Sequence, residues 1–206
     1  MMKNSFSNML PFLLFADLII PFVLAPTYKG YNHLTQVMSV LGNSKAPLHL
    51  IYNIWLIVFG VAILISTLQL YPVIAQVSNP ISIMLFSVIV IYALGGCILS
   101  GIFSVGETKS LETLSAKIHG YGSVIGFLLL TFVPLFVGLY FFKVSNGPLG
   151  ILSLVCFIFA IGFFALFVMA DKPNYKGTII AFEGLWQRLS LLSMYLPIAA
   201  LCIFNK

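Results

Sequence analysis

Six apolar runs, each near the length of a membrane crossing, decide what this chain can fold into. They cover roughly 8–26, 48–71, 80–104, 119–142, 148–170 and 185–204. A helix needs about 20 mostly apolar residues to cross a bilayer's hydrocarbon core. The runs are continuous, whereas a barrel strand alternates lipid-facing and interior residues, so helices are the spanning form expected. Composition closes off the soluble alternative. The chain is 61% hydrophobic and 7% charged, against roughly 25% charged in a soluble domain. No stretch is long and polar enough to form a soluble domain beside the spans. The expectation is an all-α polytopic membrane protein, a bundle of six transmembrane helices making one domain over residues 1–206. It would sit in the cell membrane, with membrane lipids as its immediate partners.

The separators carry the punctuation that such runs need. Pro26 and Gly30 end the first, Pro47 precedes the second and Asn79-Pro80 opens the third. Asn146-Gly147-Pro148 turns the chain into the fifth, and Asp171-Lys172-Pro173-Asn174 ends it. The connections after the second and fourth runs, YPVIAQVSNP and KVSNG, read as short and bland. Those after the first, third and fifth are longer and polar. With six spans these three share one face as a polar cap, and both termini lie on the other. Seven of the ten basic residues fall on the cap side: Lys29, Lys45, Lys109, Lys117, Lys172, Lys176 and Arg188. By the positive-inside rule this leans the cap toward the cytoplasm.

The formal charge of +5 does not imply nucleic acid, because the basic residues are scattered singly without aromatic interleaving. Cys97, Cys156 and Cys202 each lie inside an apolar run with no CxxC spacing, as small buried hydrophobes do. The first run carries Asp17 and Pro21 and is not followed by an A-x-A-like site. It reads as a retained helix rather than a cleaved signal.

Residues 31–42, YNHLTQVMSVLG, are the polar stretch that most needs explaining. Leu34, Val37, Met38 and Leu41 repeat at i, i+3, i+4 and i+7, which predicts a short interfacial amphipathic helix ended by Gly42. The polar residues would form its other face.

The residues able to do chemistry gather on the cap side. His33 lies in the first polar loop, His49 at the start of the second run and His119 at the start of the fourth. Glu107 and Glu112 lie in the second polar loop, while Glu183 and Arg188 flank the start of the sixth run. Four readings of the histidines stay open. They sit at headgroup level or hydrogen-bond across loops. They join Glu107 or Glu112 as metal ligands, although no HExxH spacing supports it. Or His49 and His119, at similar depth, hold a haem. The sequence names no cofactor. Ser39 has two histidines within ten residues but no G-x-S-x-G elbow, so a turn or cap role competes with a nucleophile. Asp17 lies near the middle of the first run, where an ionised carboxylate costs roughly 2.5–3.5 kcal/mol. Such a group pairs with a partner, for which Arg188 is the preferred choice, or else is protonated or hydrogen-bonded to a Ser or Thr on a neighbouring helix. Pro11 and Pro21 bracket Asp17 and are placed to open the helix locally or merely kink it. Gly95, Gly96 and Gly101 in the third run and Gly120, Gly122 and Gly126 in the fourth predict a close pair of helices.

Several of these residues also carry a resemblance. Ser39-Val40-Leu41-Gly42 resembles the S-D-L-G segment of domain-of-unknown-function family nine hundred and ninety-eight, a family of bacterial and archaeal proteins. Pro47 and Asn53 match its proline and its asparagine early in the second helix. Gly101-Ile102-Phe103 resembles its G-x-F, His119-Gly120 its H-G, and Gly184-Leu185-Trp186-Gln187-Arg188 its G-x-x-E-R. Val40 stands where the family usually has aspartate, and Gln187 where it has glutamate. The resemblance implies a six-helix integral membrane fold and brings no activity with it. The binding candidates are therefore Tyr31, His33, Ser39, His49, Asn53, Glu107, His119 and Arg188, under the cap. The first functional reading is binding of a lipid or small amphiphile there. The second is a membrane-embedded lipid hydrolase or transferase using the three histidines and nearby glutamates. The third is a small-solute transporter.

Overall fold

The computed structural model describes residues 5–103 and 111–205 and is all-helical among them. Six helices cross the membrane: α1 Ser5–Leu24, α2 His49–Val77, α3 Asn79–Ile102, α4 Leu114–Lys143, α5 Gly147–Ala170 and α6 Glu183–Phe204. The expected bundle of six transmembrane helices is the observed architecture. Glu107 and Lys109 lie outside the described residues.

The helix ends differ from the sequence expectation for local reasons. Helix α2 continues through Pro72 to Val77, so most of YPVIAQVSNP is helix and only Ser78 breaks it from α3. Ser82 donates to the Tyr71 carbonyl at 2.8 Å and ties the two helices at that turn. Helix α4 begins at Leu114, because the Thr113 hydroxyl caps the Ala116 N–H at 3.1 Å. His119 therefore lies in the second turn rather than at the rim. Helix α1 stays continuous although Pro11 and Pro21 are inside it.

Two irregularities shape the interior. Within α3, Tyr92–Leu99 is a π-helical stretch containing Gly95 and Gly96. The Ser100 hydroxyl donates to the Gly95 carbonyl at 2.8 Å and satisfies part of the widened turn. Gly95 faces Gly122 of α4 so closely that a Cβ on Gly95 would lie 2.6 Å from the Gly122 carbonyl oxygen. Gly126 similarly abuts Gly96 and Tyr92. The expected close pair of α3 and α4 is thus formed by backbone contact.

The second irregularity is a break in α4 at Thr131–Phe132, ahead of Pro134. Proline supplies no N–H to the preceding turn, and Thr131 and Phe132 instead close short turns onto Leu128 and Leu129. The cap-side half of α4 follows α3. The other half packs on α5, where Gly138 meets Gly150 and Ser153, and on α6. The cap-side half of α4 meets α5 through Phe127, whose ring centroid lies 5.3 Å from those of Phe164 and Phe167. Helix α5 is the most lipid-exposed span, whereas Phe59, Ala93, Val133 and Met194 are wholly buried at the bundle centre.

Candidate functional site

The first polar loop folds down onto the start of α6. Residues 32–36 form a turn closed by the Gln36 N–H on the Asn32 carbonyl at 2.9 Å, and Met38–Gly42 is one short 3-10 helix. The expected amphipathic helix is replaced by this compact turn. Met38 and Leu41 are buried as the spacing required, but Leu34 is exposed, because the chain leaves helical register before residue 38.

Arg188 organises the docking. Its Nη1 donates to the carbonyls of Gly184, His33 and Gln36 at 2.7, 2.8 and 3.3 Å. Its Nη2 donates to the Tyr31 hydroxyl at 2.7 Å and to His33 Nδ1 at 3.2 Å. The guanidinium is buried and lies 5.6 Å from the Phe22 ring, on which His33 stacks. Two further bonds close the joint: Leu185 N–H to the Leu34 carbonyl at 3.0 Å, and Met38 N–H to Gln187 Oε1 at 2.7 Å. Gly184 lets the loop approach, since a Cβ there would strike the carbonyl oxygens of His33 and Gln36. Arg188 therefore serves backbone carbonyls and Tyr31, and is not the partner of Asp17. A guanidinium fork suits several converging oxygens, a geometry that charge matching alone does not foresee. As acceptor from Arg188, His33 Nδ1 carries no proton, and burial together with the adjacent guanidinium lowers its pKa. Burial raises the pKa of Tyr31 while Arg188 opposes the shift.

The other motif residues are joints of the same cap. Asn53 Nδ2 donates to the Gly42 carbonyl at 3.1 Å. His119 Nδ1 lies 2.8 Å from the Phe103 carbonyl and 3.3 Å from that of Ser100, so Nδ1 bears the proton and holds the end of α3. His49 Nδ1 lies 2.8 Å from the Ala46 carbonyl. The three histidines thus have three separate anchorages, and among the described residues no group of three His, Cys, Asp or Glu is placed to hold a metal. Histidine 119 is buried against α3 rather than at headgroup level.

Beneath the cap lies a cavity of about 480 Å³, within the usual range for a small-molecule site. Val37, Met38 and Ser39 of the docked loop contribute to its lining, as do Ser100, His119 and Ser123 from α3 and α4. Leu56, Phe127, Phe164, Phe167 and Leu191 make apolar walls. Tyr121, Val124 and Val168 also line it while being 59%, 59% and 48% exposed. The cavity therefore opens sideways, toward lipid, between Tyr121 and Val124 of α4 and Val168 of α5. With Nδ1 of His119 committed, Nε2 is the ring atom left to meet a ligand.

Asp17 and Tyr92 line the deep end. Trp55 Nε1 donates to Asp17 Oδ1 and the Tyr195 hydroxyl to Oδ2, each at 2.9 Å. Tyr195 has one proton, so Tyr92, 2.5 Å away, donates to Tyr195 in turn. On the far side of these tyrosines the space is a small apolar void bounded by Leu14, Ile63, Leu85 and Ile198. Tyr92, Tyr195, Trp55, Ser100, Ser123 and Gln187 were missed by sequence reasoning as site residues. Buried Trp and Tyr do carry a signal, because each needs a partner for its N–H or O–H. Of the expected site residues, Asp17, Ser39 and His119 share the cavity, Tyr31, His33 and Arg188 form the cap joint, and His49 and Asn53 brace the loop.

A profile of the family described as "Protein of unknown function (DUF998)" matches residues 14–203. Neither the curated proteins nor the solved structures contain a match. The chain belongs to this family, as its motifs suggested, and those motifs are largely the residues that dock the cap.

Proposed function

We propose that this member of the family, a multi-pass membrane protein, takes a lipid or similar amphiphile sideways from the bilayer into the cavity beneath its cap. One observation carries the reading. The cavity has apolar walls, a polar deep end and a mouth formed by residues that also face lipid. An amphiphile suits this arrangement. Its chain needs no desolvation on leaving the bilayer, and its head meets hydrogen-bonding groups that hydrocarbon lacks. We place the protein in the cell membrane with the cap toward the cytoplasm.

The lipid hydrolase reading has no equivalent support, because its three histidines have separate anchorages. A transporter reading draws on Asp17 at mid-span, approached from the cap side and closed off by tyrosines and an apolar void beyond. The binding reading requires no movement of these groups and is preferred.

The test is photolabelling in vesicles with a diazirine-bearing fatty chain. Adducts concentrated on Tyr121, Val124 and Phe167 are expected. Labelling no heavier there than at the lipid-facing Ile54 and Ile158 would refute the reading.

A further inference from the structure

We infer that the cavity selects an amphiphile with a cationic head, a protonated amine or quaternary ammonium, over an anionic one. This rests on the amphiphile-binding reading and names the class of ligand. Asp17 is 3% exposed, lines the cavity and receives a proton donor on each oxygen. The Trp55 N–H can only donate, so Oδ1 is an acceptor, and an ammonium brought into the cavity would hold the Asp17 carboxyl in its ionised form. Both donors, Trp55 and Tyr195, are neutral. Among the described residues no Lys or Arg pairs with Asp17, and Arg188 is committed to the cap joint.

A buried carboxylate in a membrane span is stabilised by a cation, and among the described residues none lines the cavity. The rest of the lining agrees in sign. Among the described residues it contains no Lys or Arg, and its other charged members are Asp171 and Glu183. The remaining polar groups are hydroxyls, one amide and His119, whose free ring nitrogen accepts. A phosphate or carboxylate head could use the hydroxyl and amide donors, but among the described lining residues it would find no Lys or Arg and would face the Asp17 carboxyl. An ammonium head would meet Asp17 and a lining that includes Tyr92, Phe127 and Phe167, aromatic residues of the kind that favour cations.

Trp55 provides the readout, because its indole N–H is bonded to Asp17. Trp186 is the only other tryptophan, so Trp186→Phe isolates the signal. The protein in nanodiscs would be titrated with hexadecylamine, palmitate and hexadecyl phosphate. The expected result is a Trp55 emission change with hexadecylamine at about tenfold lower concentration than with either acid. In Asp17→Asn the amine's advantage should vanish while palmitate binding persists. If all three bind equally in the wild-type background, or an acid binds better, selectivity for a cation is overturned while amphiphile binding stands. If none binds, by Trp55 emission and by displacement of a photolabelled chain, both readings fall. An amine advantage unchanged in a folded Asp17→Asn would overturn the assignment to Asp17.

Discussion

Gly184→Ala tests the docking of the cap at a single carbon atom. The added Cβ would strike the carbonyl oxygens of His33 and Gln36, which are backbone, and come within 2.9 Å of Arg188 Nη1. Carbon and oxygen need roughly 3.3 Å, so the loop must retreat by about 1 Å. That retreat breaks the Leu185 N–H bond to Leu34 at 3.0 Å and the Arg188 bonds to His33 and Gln36 at 2.8 and 3.3 Å. A neutral bond contributes about 1 kcal/mol net and a charged one about 1.5–3. Allowing for partial relaxation and for alanine's better helix propensity, worth up to about 1 kcal/mol, undocking should be favoured by about 3 kcal/mol. Hydrogen exchange in nanodiscs reads this directly at the Met38 amide, which is bonded to Gln187 across the joint, its protection falling by roughly a hundredfold. The core of α2 should keep its protection. Wild-type protection at Met38 in a folded Gly184→Ala protein would refute the docking geometry.

Other consequences can be checked in the same preparation. Arg188→Lys should not restore the cap, since one ammonium cannot reach three carbonyls and Tyr31 together. Exchange in 31–38 should match that of Arg188→Ala, not wild type. Gly95→Ala forces the α3 and α4 backbones apart at a contact of 2.6 Å and should cost about 1–3 kcal/mol, read as a lowered melting temperature. Acid should loosen the cap through His33. Its pKa is lower folded than the usual value near 6.5, so the folded state binds fewer protons. The contribution is present above that value and lost as pH falls below it, as a second positive charge forms beside Arg188. The protection factor of the 32–36 turn, with the intrinsic pH dependence of exchange divided out, should fall below about pH 6.5 and become independent of pH in His33→Asn.

Run length and punctuation made the six spans legible, because the bilayer demands a long apolar stretch and loops announce themselves with Pro, Gly and Asn. The glycine pairing of α3 and α4 was legible for a similar reason: small residues in both helices leave room for only one kind of contact. Helix rotation was not legible. Asp17 meets Trp55, 38 residues away, and Tyr195, 178 away, and nothing local says which faces turn inward. Matching charges then suggested Arg188, whose true partners are mostly backbone carbonyls, which leave no trace in sequence. The loop 31–42 misled because its apolar spacing fits a helix, while Asn32 and the contacts to α6 favour a turn. Gln187 looked like the loss of a carboxylate, yet its amide oxygen accepts the Met38 N–H. The cavity itself was not legible either, because its lining is drawn from loop and helix positions far apart in the chain.

The measurement nearest the central claim is native mass spectrometry of the protein from mild detergent, beside Val124→Trp/Val168→Trp. Both positions are lipid-exposed and line the mouth, so the bulk closes the entrance without disturbing buried packing. A cavity filled from the bilayer predicts one amphiphile retained per wild-type chain and none in the double variant. Equal retention in both, or none in either, would contradict it.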